Sequence, residues 1–142
     1  MERDSTSASR QAPRGLAAIR HLDYTAIFCR DMQAMRKFYA EVMGFELHRT
    51  LGDSWIEYRV GASILALTRR SEKLFNDSPP PTGTLSLQLA FRVAPHQVDE
   101  CAEEFTAKGV PIEYPPTDHA WGHRTLFVRD PDGNVVEIYA EI

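Results

Sequence analysis

The 142-residue sequence has few cysteines, no basic cluster and no long apolar run, and each shortage argues against a class of protein. Its two cysteines, Cys29 and Cys101, could in principle pair, but in a chain long enough to bury a core of this size we expect both to be reduced and buried. The net charge of −4 and the absence of any basic block argue against a nucleic-acid partner. No apolar run approaches the roughly 20 residues that a membrane span needs.

The composition that remains is ordinary for one globular domain, with 43% hydrophobic and 25% charged residues. Residues 1–18 are small, polar and aperiodic, and we interpret them as a tail preceding a single domain at 19–142. The N-terminal residues lack the apolar segment of a secretory signal, which favours the cytoplasm.

The order of predicted elements within residues 19–142 is strand, helix and three strands, and it occurs twice. Glycines that end the two predicted helices, Gly44 and Gly109, are 65 positions apart. A near-constant offset of this size indicates an internal duplication. The predicted modules cover about 19–70 and about 85–142, and a proline-rich linker covers about 71–84.

Hydrophobic periodicity places the elements of each module. Asp31 stands at an N-cap position, and an apolar stripe with helical spacing follows it as far as Val42. A second helix is predicted over residues 97–108, with Phe105 on its apolar face. The predicted strands cover residues 21–29, 45–51, 54–60, 62–68, 85–93, 110–114, 123–129 and 134–140.

Two groups of motifs resemble a known family. They are Phe38-Tyr39 with Val42-Met43-Gly44-Phe45, and Trp121-Gly122-His123-Arg124 with Asp130-Pro131-Asp132-Gly133-Asn134 and Glu137. Together with the duplication, they resemble the vicinal oxygen chelate superfamily, which groups glyoxalases, extradiol dioxygenases, and bleomycin- and fosfomycin-resistance proteins. The resemblance implies an α+β fold of two tandem βαβββ modules, whose curled mixed sheets form a groove with the helices on the outer face. It also implies a homodimer.

In metal-dependent relatives, ligands come from the first and last strand of each module. By that resemblance the four positions here are Tyr24, Ala66, Gln88 and Glu137. A catalytic divalent metal takes about three protein ligands of the histidine or carboxylate type. Only Glu137 is such a residue, so no cofactor is expected and no metal ligand is assigned.

Glu137 stands in the middle of a strand made otherwise of core-forming residues. A carboxylate there lies either on a solvent-facing side of the sheet or in a functional pocket. An ion pair with Arg124 or Arg59 would give it a structural role instead. If Glu137 lies in a functional pocket, it is the candidate catalytic residue.

The groove is therefore predicted to be a pocket for a small aromatic or amphipathic ligand, with apolar walls and a few polar groups. The residues expected to bind that ligand are Tyr24, Gln88, Glu137, Trp55, Phe91, Trp121 and Arg124. The favoured function is metal-independent binding of a small molecule. One alternative is a glyoxalase-type lyase or isomerase, or a dioxygenase, with an atypical metal site or with Glu137 as general base. The other is a protein-interaction module.

Overall fold

Two four-stranded sheets, one from each half of the chain, carry the fold in this computed structural model, which describes residues 12–69, 75 and 77–142. Residues 1–11 of the predicted tail, and positions 70–74 and 76 at the predicted linker, lie outside that description. The elements are a 3₁₀ turn (Gly15–Ala18), β1 (Tyr24–Phe28), α1 (Met32–Lys37), a π-helical turn (Phe38–Val42), β2 (Glu46–Leu51), β3 (Trp55–Val60), β4 (Ser63–Thr68), β5 (Gln88–Arg92), α2 (Pro95–Ala107), β6 (Tyr114–Asp118), β7 (His123–Arg129) and β8 (Val135–Glu141).

The two sheets have the same topology. The first has the strand order β1-β4-β3-β2 and the second β5-β8-β7-β6. In each, the first and last strand of the module pair in parallel, and the remaining neighbours are antiparallel. The sheets are not closed into barrels. The predicted α+β fold of two tandem βαβββ modules is confirmed.

The first helical segment begins and ends as the sequence predicts. The Asp31 side chain accepts a hydrogen bond from the Ala34 amide (3.0 Å), which satisfies one of the free N–H groups of the first turn. Gly44 has φ +73°, a conformation that costs glycine no steric strain. The π-helical turn between them was not predicted. It leaves Phe38 and Tyr39 buried on the same side as Met35.

The second helix is longer and starts earlier than predicted. Pro95 occupies its first turn, where the missing N–H is no loss. The Gln97 side chain accepts a hydrogen bond from the Ala94 amide (2.9 Å). Val98 and Phe105 are buried, as the predicted apolar face requires.

One predicted strand was misplaced. The sequence indicated a strand at 110–114, whereas β6 runs from Tyr114 to Asp118 and contains Pro115 and Pro116. Proline cannot donate to a β-ladder and is tolerated mainly at sheet edges and bulges. β6 is the edge strand of the second sheet, and its pairing with β7 is irregular between Tyr114 and Thr117, so both conditions are met.

Each sheet turns one face towards its helix. In the first sheet the Tyr58 hydroxyl donates to the carbonyl of Arg36 in α1 (3.4 Å), and Leu65 and Leu67 are buried on that side. In the second sheet Leu126 and Ile138 are buried in the same core as Val98 of α2. The opposite surface of each sheet carries the strand residues that alternate with these buried ones. We call it the first inner face in the first sheet and the second inner face in the second sheet.

The turn between β7 and β8 joins the two modules. The Asp132 carboxylate accepts hydrogen bonds from the amides of Arg30 (2.6 Å) and Asp31 (3.2 Å), at the start of α1. The buried Tyr39 hydroxyl donates to Asp130 Oδ2 (2.7 Å). Asp130 Oδ1 in turn accepts from the amides of Asp132 and Asn134, which fixes the turn. We call this arrangement the hairpin clamp.

Two further expectations concern the state of the cysteines and the lack of a membrane-spanning segment. Cys29 is buried, Cys101 is half-buried, and both are free thiols. Within residues 12–69, 75 and 77–142, no helix is long and apolar enough to cross a membrane.

Candidate functional site

Glu137 lies at the centre of β8 on the second inner face. Its backbone pairs with Phe127 of β7 on one side and with Ala90 of β5 on the other. Its neighbours Val136 and Ile138 point into the core, so alternation puts Glu137 on the opposite surface, where it is half-buried. The structure thus places this carboxylate on a strand of core-forming residues but outside the core itself, as the sequence predicts.

Gln88, at the start of β5, is the polar partner of Glu137. Its Nε2 donates to Glu137 Oε1 at 2.9 Å. An ionised carboxylate only accepts hydrogen bonds, so the amide nitrogen must be the donor, which leaves Gln88 Oε1 and Glu137 Oε2 as acceptors. No ion pair to Glu137 is present in the described part of the chain. Among the described residues, the pair therefore presents two acceptors without a compensating cation.

Aromatic rings flank this pair on the second inner face. Phe127 contacts Tyr114 of the edge strand edge-to-face, with ring centroids 6.1 Å apart. The His123 ring lies 4.8 Å from that of Tyr139, which is two positions beyond Glu137 on β8. These rings supply apolar surface beside the two acceptors.

Trp121 stands at the edge of this surface. Its ring stacks on His119 at 4.2 Å with an interplanar angle of 10°, and 69% of the residue is exposed. His119 Nε2 lies 2.8 Å from the hydroxyl of Thr125, which shares the second inner face with Glu137. Trp121 is thus connected to the second inner face through His119.

Tyr24 and Trp55, by contrast, lie on the first inner face. Their rings meet edge-to-face with centroids 5.6 Å apart and an interplanar angle of 86°. The two residues stand on strands on either side of β4, with Ala66 between them, and Ala66 is fully buried. Of the two neighbours expected for Glu137, the structure brings Gln88 into hydrogen-bond contact and places Tyr24 against Trp55.

A second inner-face carboxylate, Glu57, was missed by the sequence reasoning. It is only 7% exposed, and its Oε2 accepts from Trp55 Nε1 (2.7 Å) and Arg49 Nε (3.2 Å). The Trp55 hydrogen bond, followed by Arg49, holds the pKa of Glu57 below its usual value despite burial. The signal was available, because Glu57 alternates with the core residues Ile56 and Tyr58 as Glu137 does with Val136 and Ile138.

Phe91 and Arg124 lie away from the inner faces. Phe91 packs against Phe45 (5.3 Å) beside the buried core, on the helix side of β5. Arg124 donates to Asp118 (2.8 Å) and to Asp99 of α2 (2.7 Å), so it too is on the helix side. Along their strands, both residues alternate with the inner-face residues and so point to the other side of the sheet. The prediction that Phe91 and Arg124 lie in the groove is therefore wrong.

The arginine partners considered for Glu137 are engaged elsewhere. Arg124 bonds to the two aspartates just described, and Arg59 Nη2 lies 2.9 Å from His48 Nδ1 in the first sheet. The neutral Gln88 side chain contacts Glu137 instead.

A cleft of about 920 Å³ lies elsewhere, beside the end of β1. Phe28, Arg30, Pro79 and Asp132 contribute to its lining. Neither Gln88 nor Glu137 borders it, so the cleft and the Glu137 site are separate features.

Comparison with known proteins decides the family. The sequence model of the Glyoxalase/Bleomycin resistance protein/Dioxygenase superfamily matches residues 21–138, which is most of the chain. The chain belongs to this superfamily. The uncharacterized protein YwkD of Bacillus subtilis (strain 168) is 27% identical over 128 residues, covering 87% of this chain and 98% of that protein.

Solved structures of the superfamily have the same fold. A glyoxalase/bleomycin resistance protein/dioxygenase from Nocardioides superposes with a TM-score of 0.77 at 19% identity, covering 99% of this chain and 93% of the other. Lactoylglutathione lyase from Agrobacterium tumefaciens has a TM-score of 0.69 at 27% identity, covering 84% and 92%.

The residues at the metal-ligand positions of the superfamily do not fit a metal centre here. Those positions hold a phenol (Tyr24), a methyl group (Ala66), an amide (Gln88) and one carboxylate (Glu137). The Tyr24 ring is packed against Trp55, and the Gln88 amide is bonded to Glu137. Across the residues that the structure describes, no three His, Cys, Asp or Glu side chains are grouped so that they could hold an ion.

Proposed function

We propose that this superfamily member binds a small aromatic or amphipathic molecule on its inner faces without a metal. The observation that carries the proposal is the Gln88–Glu137 pair, a half-buried carboxylate bonded only to a neutral amide among the described residues and flanked by aromatic rings. Apolar walls with a few oriented polar groups are the usual composition of a small-molecule site.

The chemistry of the pair defines what the ligand must offer. Gln88 Oε1 and Glu137 Oε2 are acceptors, so a bound molecule satisfies them with N–H or O–H groups. The rings of Phe127 and Tyr139 give the remainder of the ligand a surface to cover. A ligand with one polar edge and an apolar body meets both requirements.

Binding without a cofactor is part of the proposal. Its support is the donor set at Tyr24, Ala66, Gln88 and Glu137, which offers one carboxylate where a catalytic metal takes about three ligands of its type.

The test is a thermal-shift screen of small aromatic compounds, followed by calorimetric titration of each hit into wild type and Glu137→Gln. We expect the substitution to weaken binding at least tenfold, about 1.4 kcal/mol, and to leave the melting temperature nearly unchanged. Glu103→Gln is the matched control and should change neither, because Glu103 is exposed on α2 and forms no ion pair among the described residues. Lower stability with unchanged affinity would show that Glu137 is structural.

A glyoxalase-type lyase or isomerase, or a dioxygenase, is the alternative function. It is favoured by the 27% identity to a lactoylglutathione lyase over most of both chains. In that case Glu137 acts as general base or belongs to an atypical metal site. Lactoylglutathione lyase turnover that is lost in Glu137→Gln, measured with and without added nickel or zinc, would establish the alternative.

The proposal also includes a homodimer in the cytoplasm. Membership of the superfamily supports the dimer, because its members commonly form homodimers. The free thiols of Cys29 and Cys101 suit a reducing compartment. Light scattering should give twice the 16.1 kDa chain mass, and cell fractionation should recover the protein with cytoplasmic markers.

A further inference from the structure

A second cleft lies on the helix side of the first sheet, away from both inner faces. It has a volume of about 560 Å³ and is lined by residues of α1, the π-helical turn, β2 and β3. Ile56 and Tyr58, which are buried on the helix side of β3, form its inner wall. Small-molecule sites usually have volumes of about 300–1,000 Å³, so the cleft is large enough for one small ligand.

One side of the first helical segment borders this cleft along most of its length. The residues that line the cleft from this side are spaced at i, i+3, i+4, i+7 and i+8, which puts them on one face of a helix. They are Gln33, Arg36, Lys37, Ala40 and Glu41. The last two belong to the π-helical turn, a rare conformation that is frequent at functional sites.

Three cationic side chains converge on the cleft from two parts of the chain. Arg36 and Lys37 come from α1, and Arg69 comes from the position after β4. Among the described residues, none of the three forms an ion pair with a carboxylate. Glu41 is the one acidic residue in the described lining. Three cations and one carboxylate leave the cleft with a formal charge of +2, in a chain whose net charge is −4.

The needs of the helix do not account for Arg36 and Lys37. Cations stabilise a helix when they lie in its last turn, next to the free carbonyls. The helical segment continues through the π-helical turn to Val42, so both residues stand before its last turn. The carbonyls of Glu41 and Val42 at its end accept hydrogen bonds from Lys108 Nζ instead (3.1 and 2.8 Å). The positive charge in the cleft is therefore available to attract an anion.

The charge and the walls of the cleft indicate the class of ligand. A phosphate monoester carries a charge of about −1.5 to −2 at neutral pH, which complements the formal charge of +2. Arginine binds phosphate oxygens through paired N–H groups, and the cleft has two arginines. Ile56, Ala40 and Leu47 supply apolar surface for the rest of the molecule, and Leu47 is 55% exposed.

We propose that this cleft binds a small phosphate monoester, whose phosphate group is held by Arg36, Lys37 and Arg69 and whose apolar part packs against Leu47 and Ile56. The site lies on the opposite side of the first sheet from the first inner face. It does not depend on the function proposed for the inner faces.

The test is calorimetric titration of phenyl phosphate into the full-length protein, in a buffer without phosphate. Arg36→Gln and Arg69→Gln should each weaken binding about tenfold, because each removes charge-assisted hydrogen bonds to the phosphate group. Both residues are exposed, so the melting temperature should stay close to that of wild type. Arg14→Gln is the matched control, since it removes the same charge at an exposed position outside the cleft, and its affinity should stay within about twofold of wild type.

Two further probes separate the charge from the apolar contact. Benzyl alcohol has the ring without the charge, and inorganic phosphate has the charge without the ring. Both should bind more weakly than phenyl phosphate. If benzyl alcohol binds as tightly, the cations do not hold the ligand, and if inorganic phosphate does, the ligand is not an ester with an apolar part. Either result would overturn the proposal.

Glu41→Gln should have the opposite effect, because it removes the carboxylate that repels the phosphate group. We expect phenyl phosphate to bind it about two to three times more tightly, whereas Glu103→Gln on α2 should bind like wild type. Glu137→Gln should also bind like wild type, which separates this site from the inner faces. Absence of phenyl phosphate binding, or equal weakening by Arg14→Gln and Arg36→Gln, would show that the proposed site is wrong.

Discussion

Replacing Tyr39 with phenylalanine tests the hairpin clamp by removing one buried hydroxyl. Tyr39 is fully buried, and its hydroxyl donates to Asp130 Oδ2 at 2.7 Å, joining the first module to the turn of the second. Hydrogen bonds to charged groups contribute about 1.5–3 kcal/mol. Because Asn134 Nδ2 still donates to the same oxygen (2.9 Å), the carboxylate stays satisfied and the lower part of that range applies. We therefore expect Tyr39→Phe to cost about 1.5–2 kcal/mol of unfolding free energy.

The assay is urea unfolding at neutral pH, followed by far-UV circular dichroism. Tyr114→Phe is the matched control, since that residue is 64% exposed and its change should stay within about 0.5 kcal/mol. A double-mutant cycle with Asp130→Asn should then give a coupling energy of at least 0.5 kcal/mol between the two side chains. If Tyr39→Phe is as stable as wild type, the Tyr39–Asp130 hydrogen bond contributes no stability to the clamp.

The remaining predictions concern the core, metals and alkaline pH. Phe38→Ala and Phe105→Ala should each cost about 3–5 kcal/mol, because both rings are buried at 5% exposure, and melting within a degree or two of wild type would contradict this. Adding nickel, zinc, manganese or iron should not raise the melting temperature, whereas a specific site at a hundredfold its dissociation constant would add about 2.7 kcal/mol. Burial, and then Asp132, raise the pKa of Cys29 from 9.0 to about 12. The neutral Cys29 thiol therefore contributes its full share of the unfolding free energy below pH 9, and this share is lost as the pH rises towards 12. Between pH 9 and 12, the stability of Cys29→Ala should fall less steeply than that of wild type.

The fold could be predicted because its signals are local and occur twice. Asp31 as N-cap, the apolar stripe that follows it and the glycines that end the helices each depend on a few neighbouring residues. β6 was misplaced because Pro115 and Pro116 argue against a strand unless the strand is known to be at an edge. That knowledge requires the strand order, which is a property of the whole sheet.

Position in the superfamily motif selected Tyr24, Gln88 and Glu137, and the structure places Tyr24 against Trp55 rather than beside the other two. Gln88 and Glu137 were both selected in that way, and they are in contact. Phe91 and Arg124 were put on the wrong side of their strands, although Phe91 is an odd number of residues from Gln88 and alternation alone would have placed it correctly. Glu57 carries no motif, and its burial depends on partners such as Arg49 across the strand pair.

The hairpin clamp has a consequence for the order in which the protein folds during synthesis. Asp132 caps the start of α1 across 102 positions of sequence, and Tyr39 finds its acceptor across 91. A nascent chain that has released only the first module has its helix and all four strands of its sheet, but it lacks both of these partners. Contacts between residues so distant in sequence form late in folding, because closing the long loop between them costs conformational entropy. The helical segment of the first module therefore gains its contacts at both ends only after the second module has been synthesised.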